Sequence, residues 1–133
     1  MTDETGVSDE ELKRRLTSKR YKVLREKGTE APFSGDLLYN KKNGKYLCAA
    51  CGNELFGSET KYDSGSGWPS FWAPLSEESL AETEDDSIEL KRTELVCSRC
   101  GSHLGHVFDD GPAPTGRRYC INSLSLDFEE SKK

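Results

Sequence analysis

The chain is poor in apolar residues and contains no long apolar run. Hydrophobic residues make up 33% of its 133 positions, and charged residues make up almost the same share, 32%. No stretch approaches the roughly 20 apolar residues that a membrane-spanning helix requires. A chain of this length is expected to form a single domain, residues 1–133, and one this polar buries only a modest core. We therefore expect an added stabilising element such as a bound metal ion.

Acidic residues outnumber basic ones, 24 to 19, which bears on the partners of the protein. The formal net charge of −5 argues against a module that binds nucleic acid by neutralising phosphates, although a local basic patch could still exist. The first six residues lack the positively charged start and apolar run of a secretory signal, so we expect a cytoplasmic protein. In a reducing cytosol, cysteine pairs serve as metal ligands or redox centres more often than as disulfides.

The N-terminal segment is predicted to be helical. Ser8 and Glu11 have the spacing of a capping box, which favours a first helix from that point. A second helix is predicted from Ser18 to Lys27, with Gly28 as its terminator. Beyond Gly28, turn residues follow one another quickly, and the runs between them are short and typical of strands.

Turn signals and strand-type runs place three features in the remainder of the chain. The Asn-Gly pair at 43–44 predicts a hairpin whose first strand includes residues 37–39. Residues 88–96 are predicted to form a strand, and residues 118–128 one long final strand that either enters the core or carries a bulge after Asn122. The acidic stretch 76–86 is expected to be a solvated helix or loop.

Four of the five cysteines form two Cys-x-x-Cys pairs, each followed by a glycine that permits a tight turn. The pairs are Cys48 with Cys51 and Cys97 with Cys100. Together they offer the four sulfurs of a tetrahedral, structural zinc site. The 45 residues between the pairs are too many for a compact zinc finger, so the metal would clamp two distant hairpins together.

These cysteines have two alternative uses. A redox pair of the thioredoxin type would require a strand–helix–strand context, which the sequence does not show. His103 and His106 follow Cys100 closely and could be ligands instead, but such a site would leave Cys48 and Cys51 without a role. We favour the four-cysteine site, which is closed to water and therefore not itself catalytic.

The fifth cysteine is a candidate nucleophile. On a strand, Arg118, Cys120 and Asn122 would share one face. A guanidinium beside a thiol favours the thiolate, which is the reactive form of cysteine. The alternative is that Cys120 is a small buried residue, the commonest fate of a free cysteine.

Two further segments carry residue types suited to chemistry or binding. His103 and His106 lie directly after the second cysteine pair and could give a proton to a developing oxyanion, although either alone could be an ordinary surface or core histidine. Small residues at 64–67 precede Trp68, Phe71 and a further tryptophan. This pattern suits a loop that presents rings to a ligand, or equally an aromatic cluster beneath a loop.

Taken together, these segments resemble the B-type methionine sulfoxide reductases. The resemblance runs from about the second helix to Phe128. It implies a mainly β fold of two small antiparallel sheets (β-tent-like), clamped by a structural four-cysteine zinc site, with short N-terminal helices. The implied parts are a helical segment at 1–28, a zinc-bound β core at 29–128 and a tail at 129–133. The matching motifs, besides the cysteine pairs, are Ser-Gly-Ser-Gly-Trp-Pro-Ser-Phe at 64–71, His-Leu-Gly-His-Val-Phe at 103–108, Asp-Gly-Pro at 110–112 and Arg-Tyr-Cys-Ile-Asn-Ser at 118–123.

The resemblance also implies a role for each candidate residue. Cys120 would attack the sulfur of methionine-R-sulfoxide, free or within a protein, and become a sulfenic acid as methionine leaves. Arg118 would help to activate Cys120. Trp68 would hold the substrate's S-methyl group, and Phe71 would be a wall of the pocket. The sulfoxide oxygen would be polarised and protonated by three residues: His103, His106 and Asn122.

The chain departs from the family pattern at Ser66. Many members have a second, resolving cysteine there, whereas a serine hydroxyl cannot form a disulfide with the sulfenic acid. The sequence contains no sixth cysteine. We therefore expect an external reductant: thioredoxin, glutaredoxin or a small thiol. We also expect oxidised proteins as substrates, a monomer, and no nucleic-acid or membrane partner. The competing interpretation is a non-catalytic, zinc-stabilised β-tent binding module, since fold alone does not decide function.

Overall fold

The computed structural model describes residues 9–26, 28–85 and 92–131, which form two helices and nine short strands. The helices are α1 (Asp9–Arg15) and α2 (Ser18–Glu26). The predicted start of the second helix is confirmed, while Ser8 and Lys27 lie outside the described residues. Within those ranges, the structure contains no helix with the length and apolar character needed to span a bilayer.

The strands form two antiparallel sheets. The small sheet has the order β2-β1-β9, and the large sheet has the order β3-β4-β8-β7-β6-β5. The mainly β fold with two antiparallel sheets and short N-terminal helices is thus confirmed. The strands are β1 (Gly44–Cys48), β2 (Glu54–Gly57), β3 (Lys61–Tyr62), β4 (Ser70–Phe71), β5 (Leu80–Asp85), β6 (Arg92–Cys97), β7 (His103–Phe108), β8 (Arg118–Ile121) and β9 (Leu126–Glu130).

The prediction of one long final strand is wrong. The chain leaves the large sheet at Asn122, makes a single 3-10 turn over Ser123–Ser125 and enters the small sheet at Leu126. Ser125 accepts a hydrogen bond from the backbone N–H of Ala49, which fixes the new direction. The same run of sequence therefore ties the two sheets together directly beside Cys120.

Two other local predictions are corrected. Residues 36–39 form turns rather than a strand, because the N–H of Leu38 bonds to the carbonyl of Gly35 and β1 pairs instead with β2 and β9. The acidic stretch supplies an edge strand, β5, whose exposed Glu82 and Glu84 discourage pairing with another chain. Of the strand predicted at 88–96, residues 88–91 lie outside the described part.

Aromatic side chains fill the space between the two sheets. The ring of Phe71 on β4 stacks on that of Phe56 on β2 with centroids 4.2 Å apart, and meets Tyr46 on β1 edge-on at 5.1 Å. All three side chains are fully buried. Because these rings come from both sheets, their packing fixes the position of β4, which pairs with the strand that carries Cys120.

Helix α2 covers the corner where the chain passes between the sheets. Leu24 is buried, and Arg20 donates to the carbonyl of Leu126 over 3.1 Å. Nη1 of Arg25 donates to the carbonyl of Cys100 over 2.9 Å and to Oγ of Ser102 over 3.0 Å. The helix therefore braces both the second cysteine turn and the start of β9.

Replacing Phe71 with alanine should lower the free energy of unfolding by about 3–5 kcal/mol, because it removes a ring that packs on both sheets. Urea unfolding measures this loss. The matched control is Tyr39→Ala, since the Tyr39 ring is 65% exposed and its loss should cost under about 0.5 kcal/mol. If the Phe71→Ala protein kept normal stability but lost activity, Phe71 would act as a wall of the pocket, as the resemblance implies, and not through packing.

Candidate active site and metal centre

The sulfurs of the two cysteine pairs converge on one point. Sγ of Cys48 is 3.7 Å from Sγ of Cys100, and Sγ of Cys51 is 3.6 Å from Sγ of Cys97. All four sulfurs lie within 4.8 Å of one another. Sulfurs bonded at about 2.3 Å to a central tetrahedral zinc ion would be about 3.8 Å apart, so the four residues fit such an ion.

Two hairpins, one from each sheet, build this cluster. The first cysteine pair lies in the turn between β1 and β2, and the second lies in the turn between β6 and β7. In each turn the glycine N–H donates to the carbonyl of the first cysteine over 2.8 Å, and φ is +82° at Gly52 and +74° at Gly101. Those left-handed angles explain why glycine follows each pair. Neither His103 nor His106 belongs to the cluster.

The thiols perturb one another strongly. Hydrogen bonding within the cluster, led by the contact with Cys100, raises the pKa of Cys48 and lowers the pKa of Cys97. The bond with Cys48 is the main cause that lowers the pKa of Cys100 to about 6. Four sulfurs this close cannot all ionise without a cation, which is the environment that a divalent metal ion satisfies.

A separate cleft of about 260 Å³ contains most of the other candidate residues. It opens where β7 and β8 lie beside the loop that precedes β4. Five predicted site residues reach it, namely Trp68, His106, Arg118, Cys120 and Asn122, and Ser66 lies among them. Sequence reasoning missed its three remaining lining residues: Thr29, Gly105 and Phe108.

Cys120 lies on β8, opposite Ser70 of β4 on one side and His106 of β7 on the other. Its side chain is half-buried, and Sγ is 3.9 Å from Oγ of Ser66. Burial raises the pKa of Cys120, while the hydrogen bond with Ser66 and the charge of Arg118 lower it. Burial outweighs the other two effects, so the pKa of Cys120 lies above its ordinary value.

Arg118 lowers the pKa of Cys120, as predicted, but its effect is smaller than that of burial. Its guanidinium forms two hydrogen bonds with the carboxylate of Asp110, at 2.9 and 3.2 Å, and lies 4.4 Å from the ring centroid of Phe108. The carboxylate offsets much of the positive charge that the thiol would otherwise feel. A contribution of Arg118 to activating Cys120 therefore stays a prediction, and these contacts limit its size.

The loop that carries Trp68 packs tightly beneath residues 29–33. Nε1 of Trp68 donates to the carbonyl of Glu30 over 3.0 Å, which fixes the plane of the indole. Gly67 has φ of +96°, and a side chain there would place its Cβ 2.7 Å from Cβ of Pro32. Glycine thus allows the loop to reach the cleft and to hold Trp68 at its wall.

The two histidines occupy different positions. His106 lines the cleft, whereas His103 is 3% exposed and lies behind it, with ring centroids 5.5 Å apart. Nδ1 of His103 is hydrogen-bonded to Oε2 of the buried Glu94 at 2.7 Å, and Oγ1 of Thr83 donates to the other oxygen at 3.1 Å. Sequence reasoning missed Glu94, because nothing in the sequence distinguishes it from the many other acidic residues of the chain.

Asn122 lies at the back of the cleft and is 3% exposed. Its Nδ2 donates to the carbonyl of Leu104 over 3.0 Å, and its Oδ1 accepts from the N–H of Glu30 over 3.1 Å. The amide is therefore held in one orientation, with a second Nδ2 hydrogen available to a ligand.

Phe71 does not reach the cleft, which corrects its expected place as a pocket wall. Its ring is fully buried among the aromatic side chains between the sheets. Alternation along β4 explains this, because Ser70 and Phe71 point to opposite faces of the strand. Phe71 supports the site from behind rather than contacting a ligand.

Comparisons with known proteins agree with this architecture. A family model described as the SelR domain matches residues 16–130. The peptide methionine sulfoxide reductase MsrB of Methanosarcina barkeri is 61% identical over 126 residues, which cover 95% of this chain and 89% of that protein. The protein of the same name from Leptospira interrogans is 55% identical over 130 residues, which cover 98% of this chain and 99% of that protein.

Replacing Cys97 with serine should abolish binding of the metal ion and unfold the protein, because metal binding supplies on the order of 10 kcal/mol in small metal-dependent folds. Native mass spectrometry reports the bound metal, and circular dichroism reports folding. The control, Cys120→Ser, should keep both. Wild-type protein that unfolds at the same urea concentration before and after metal removal would contradict a structural role.

Proposed function

This chain belongs to the SelR-domain family of peptide methionine sulfoxide reductases (MsrB) and reduces methionine sulfoxide, and we propose that Cys120 is its nucleophile and the R epimer its substrate. The observation that supports this most is the placement of Cys120 in a cleft between Trp68 and His106. The other four cysteines lie together in the metal cluster. Cys120 is therefore the one thiol among the described residues that can face a substrate.

The reaction moves one oxygen atom between two sulfurs. Sγ of Cys120 attacks the sulfoxide sulfur, the sulfur–oxygen bond breaks, and the oxygen ends on Cys120 as a sulfenic acid. The sulfoxide sulfur gains two electrons and leaves as methionine, while the cysteine sulfur loses two. The thiol hydrogen ends on the transferred oxygen, so the step needs no net proton from solvent.

His106 is placed to carry that proton. It pairs in register with Cys120 across β7 and β8 and lines the same cleft. An imidazole can accept the proton from the buried thiol and return it to the developing oxyanion. Asn122 adds a hydrogen bond to the oxygen, and His103 acts through its neighbour His106 because it lies behind the cleft.

Trp68 gives the cleft its apolar surface. The indole nitrogen is bonded to the carbonyl of Glu30, so the ring face is left for the S-methyl group of the substrate. The orientation of methyl and oxygen around the sulfur determines which epimer presents its oxygen to His106. We propose the R epimer because the B-type reductases, to whose family the chain belongs, act on that epimer.

Regeneration of Cys120 depends on a thiol from outside the chain. Oγ of Ser66 lies 3.9 Å from Sγ of Cys120, and a serine cannot form a disulfide. The family implies a thiol reductant; thioredoxin, glutaredoxin or a small thiol would each serve. The half-buried Sγ leaves room for such a molecule to reach the sulfenic acid.

We also propose that the metal in the four-cysteine cluster is Zn²⁺. All-sulfur tetrahedral sites are typical of structural zinc, and such sites leave no position for water. Its role would be to hold the β1–β2 and β6–β7 hairpins together. It would take no part in the redox step.

Replacing Cys120 with serine should reduce turnover by more than about 10³-fold, because the nucleophile is lost while the fold and metal remain. Racemic methionine sulfoxide with dithiothreitol, resolved by chiral chromatography, measures both rate and epimer. Wild type should consume half of the mixture, the R epimer alone. Consumption of the S epimer, or substantial turnover by Cys120→Ser, would refute the assignment.

Placing a cysteine at position 66 should introduce the disulfide that the wild type lacks. Wild type treated with one equivalent of sulfoxide and no reductant should form a dimedone adduct on Cys120. Ser66→Cys should form a disulfide with Cys120 and little adduct, since the side chains already lie 3.9 Å apart. Ser66→Ala is the control and should behave as wild type. An intramolecular disulfide in the wild type would show that recycling is internal.

A further inference from the structure

Glu30 lies behind the active-site cleft and joins parts of the chain that are distant in sequence. The side chain is 7% exposed. Its main-chain N–H donates to Oδ1 of Asn122 over 3.1 Å, and its main-chain carbonyl accepts from Nε1 of Trp68 over 3.0 Å. One residue thus holds two cleft side chains that come from different elements.

The carboxyl group of Glu30 anchors that residue to the turn after β8. Its Oε1 accepts a hydrogen bond from the N–H of Leu124 over 2.9 Å. Gly35 packs directly over the carboxyl group, where an added Cβ would collide with Oε2. Burial raises the pKa of Glu30, and the backbone hydrogen bond from Leu124 opposes that effect. The carboxyl group is therefore enclosed, and its contact depends on the length of the side chain.

A second contact fixes the far end of the same segment. The N–H of Phe33 donates to the carbonyl of Gly67 over 2.7 Å, one residue before Trp68. Phe33 adopts φ of +63°, a left-handed angle that is unusual for a bulky residue. Such an angle persists only where surrounding contacts hold it. Residues 30–33 thus form a strap bonded to both the Trp68 loop and the turn after β8.

We propose that Glu30 is a positioning residue for the reaction: its carboxyl group fixes this strap, and its main-chain groups set the spacing between Trp68 and Asn122. The proposal rests on the function proposed above for the cleft. If the anchor is lost, the indole and the amide no longer share a rigid partner. The methyl and oxygen of the sulfoxide would then be held at a variable distance, and a displacement of about 1 Å can cost on the order of 100-fold in rate.

Three substitutions separate the reach of the Glu30 side chain from its charge. Glu30→Gln keeps an acceptor at the same distance, whereas Glu30→Asp keeps the acid but is one methylene too short to reach Leu124. Glu30→Ala removes the contact. We expect kcat/KM to fall by roughly 10- to 100-fold in the Asp and Ala variants, with KM raised, and to stay within about threefold of wild type in Gln.

A spectroscopic readout follows Trp68 independently of turnover. In a Trp72→Phe background, Trp68 is the single tryptophan of the chain. Its emission should shift to the red and be quenched more readily by acrylamide in Glu30→Asp and Glu30→Ala, but not in Glu30→Gln. These measurements are made well below the midpoint of thermal unfolding. Should Glu30→Ala not fold, the contrast between Gln and Asp decides the question.

The control separates positioning from a general loss of stability. Leu12→Ala removes a fully buried side chain of α1 that takes no part in the cleft, and it should lower the unfolding midpoint while leaving KM and Trp68 emission unchanged. Wild-type KM and emission in Glu30→Asp, or equal changes in Leu12→Ala, would overturn the proposal. Failure of the proposed function would show differently, as turnover surviving Cys120→Ser, and would leave the emission contrast intact.

Discussion

The convergence of four cysteine sulfurs is the constraint on which the rest of the structure depends. One pair comes from a hairpin of the small sheet and the other from a hairpin of the large sheet, so the cluster sets how the sheets meet. The strand β7 begins at His103, three residues after Cys100, and therefore starts from a fixed point. Arg25 of α2 bonds to the carbonyl of Cys100 and braces the same turn. Because the chain has few apolar residues, its core alone would hold β7 weakly. The cysteine cluster fixes the position of this strand, which carries both histidines.

The cleft is built where the chain passes from one sheet to the other. β8 carries Cys120 in the large sheet, and β9 continues in the small sheet after a single turn. Asn122 lies at the crossing, and its amide is bonded to the carbonyl of Leu104 and the N–H of Glu30. Elements that come from three parts of the sequence therefore meet within one hydrogen-bonded unit, which is how a small domain holds reacting groups rigidly.

The sequence alone reveals residues whose chemistry depends on their neighbours in sequence. It does not reveal residues whose role depends on contacts with distant parts of the chain. Paired cysteines followed by glycine predict a metal cluster, because spacing and turn geometry are encoded within five residues. The division of 118–128 into two strands was missed because apolar residues continue to alternate through Leu124 and Leu126, and only the turn between them decides the sheet. Glu30 and Glu94 were missed for a similar reason, since their partners lie in distant parts of the chain and leave no mark on their own neighbours in sequence.

The raised pKa of Cys120 is compatible with its proposed role because the thiol proton is a reactant. A thiolate in an open cleft would be exposed to adventitious oxidants, and a chain without a resolving cysteine has no internal way to reverse such oxidation. Burial makes the thiol less reactive until a sulfoxide fills the cleft, although the hydrogen bond with Ser66 opposes this effect. In the proposed mechanism the sulfoxide oxygen would accept the proton that the thiol loses, and His106, which pairs in register with Cys120, would carry it. The proposed mechanism would thereby tie reactivity to the presence of the substrate, which suits an enzyme whose oxidised form is reduced by a thiol from outside the chain.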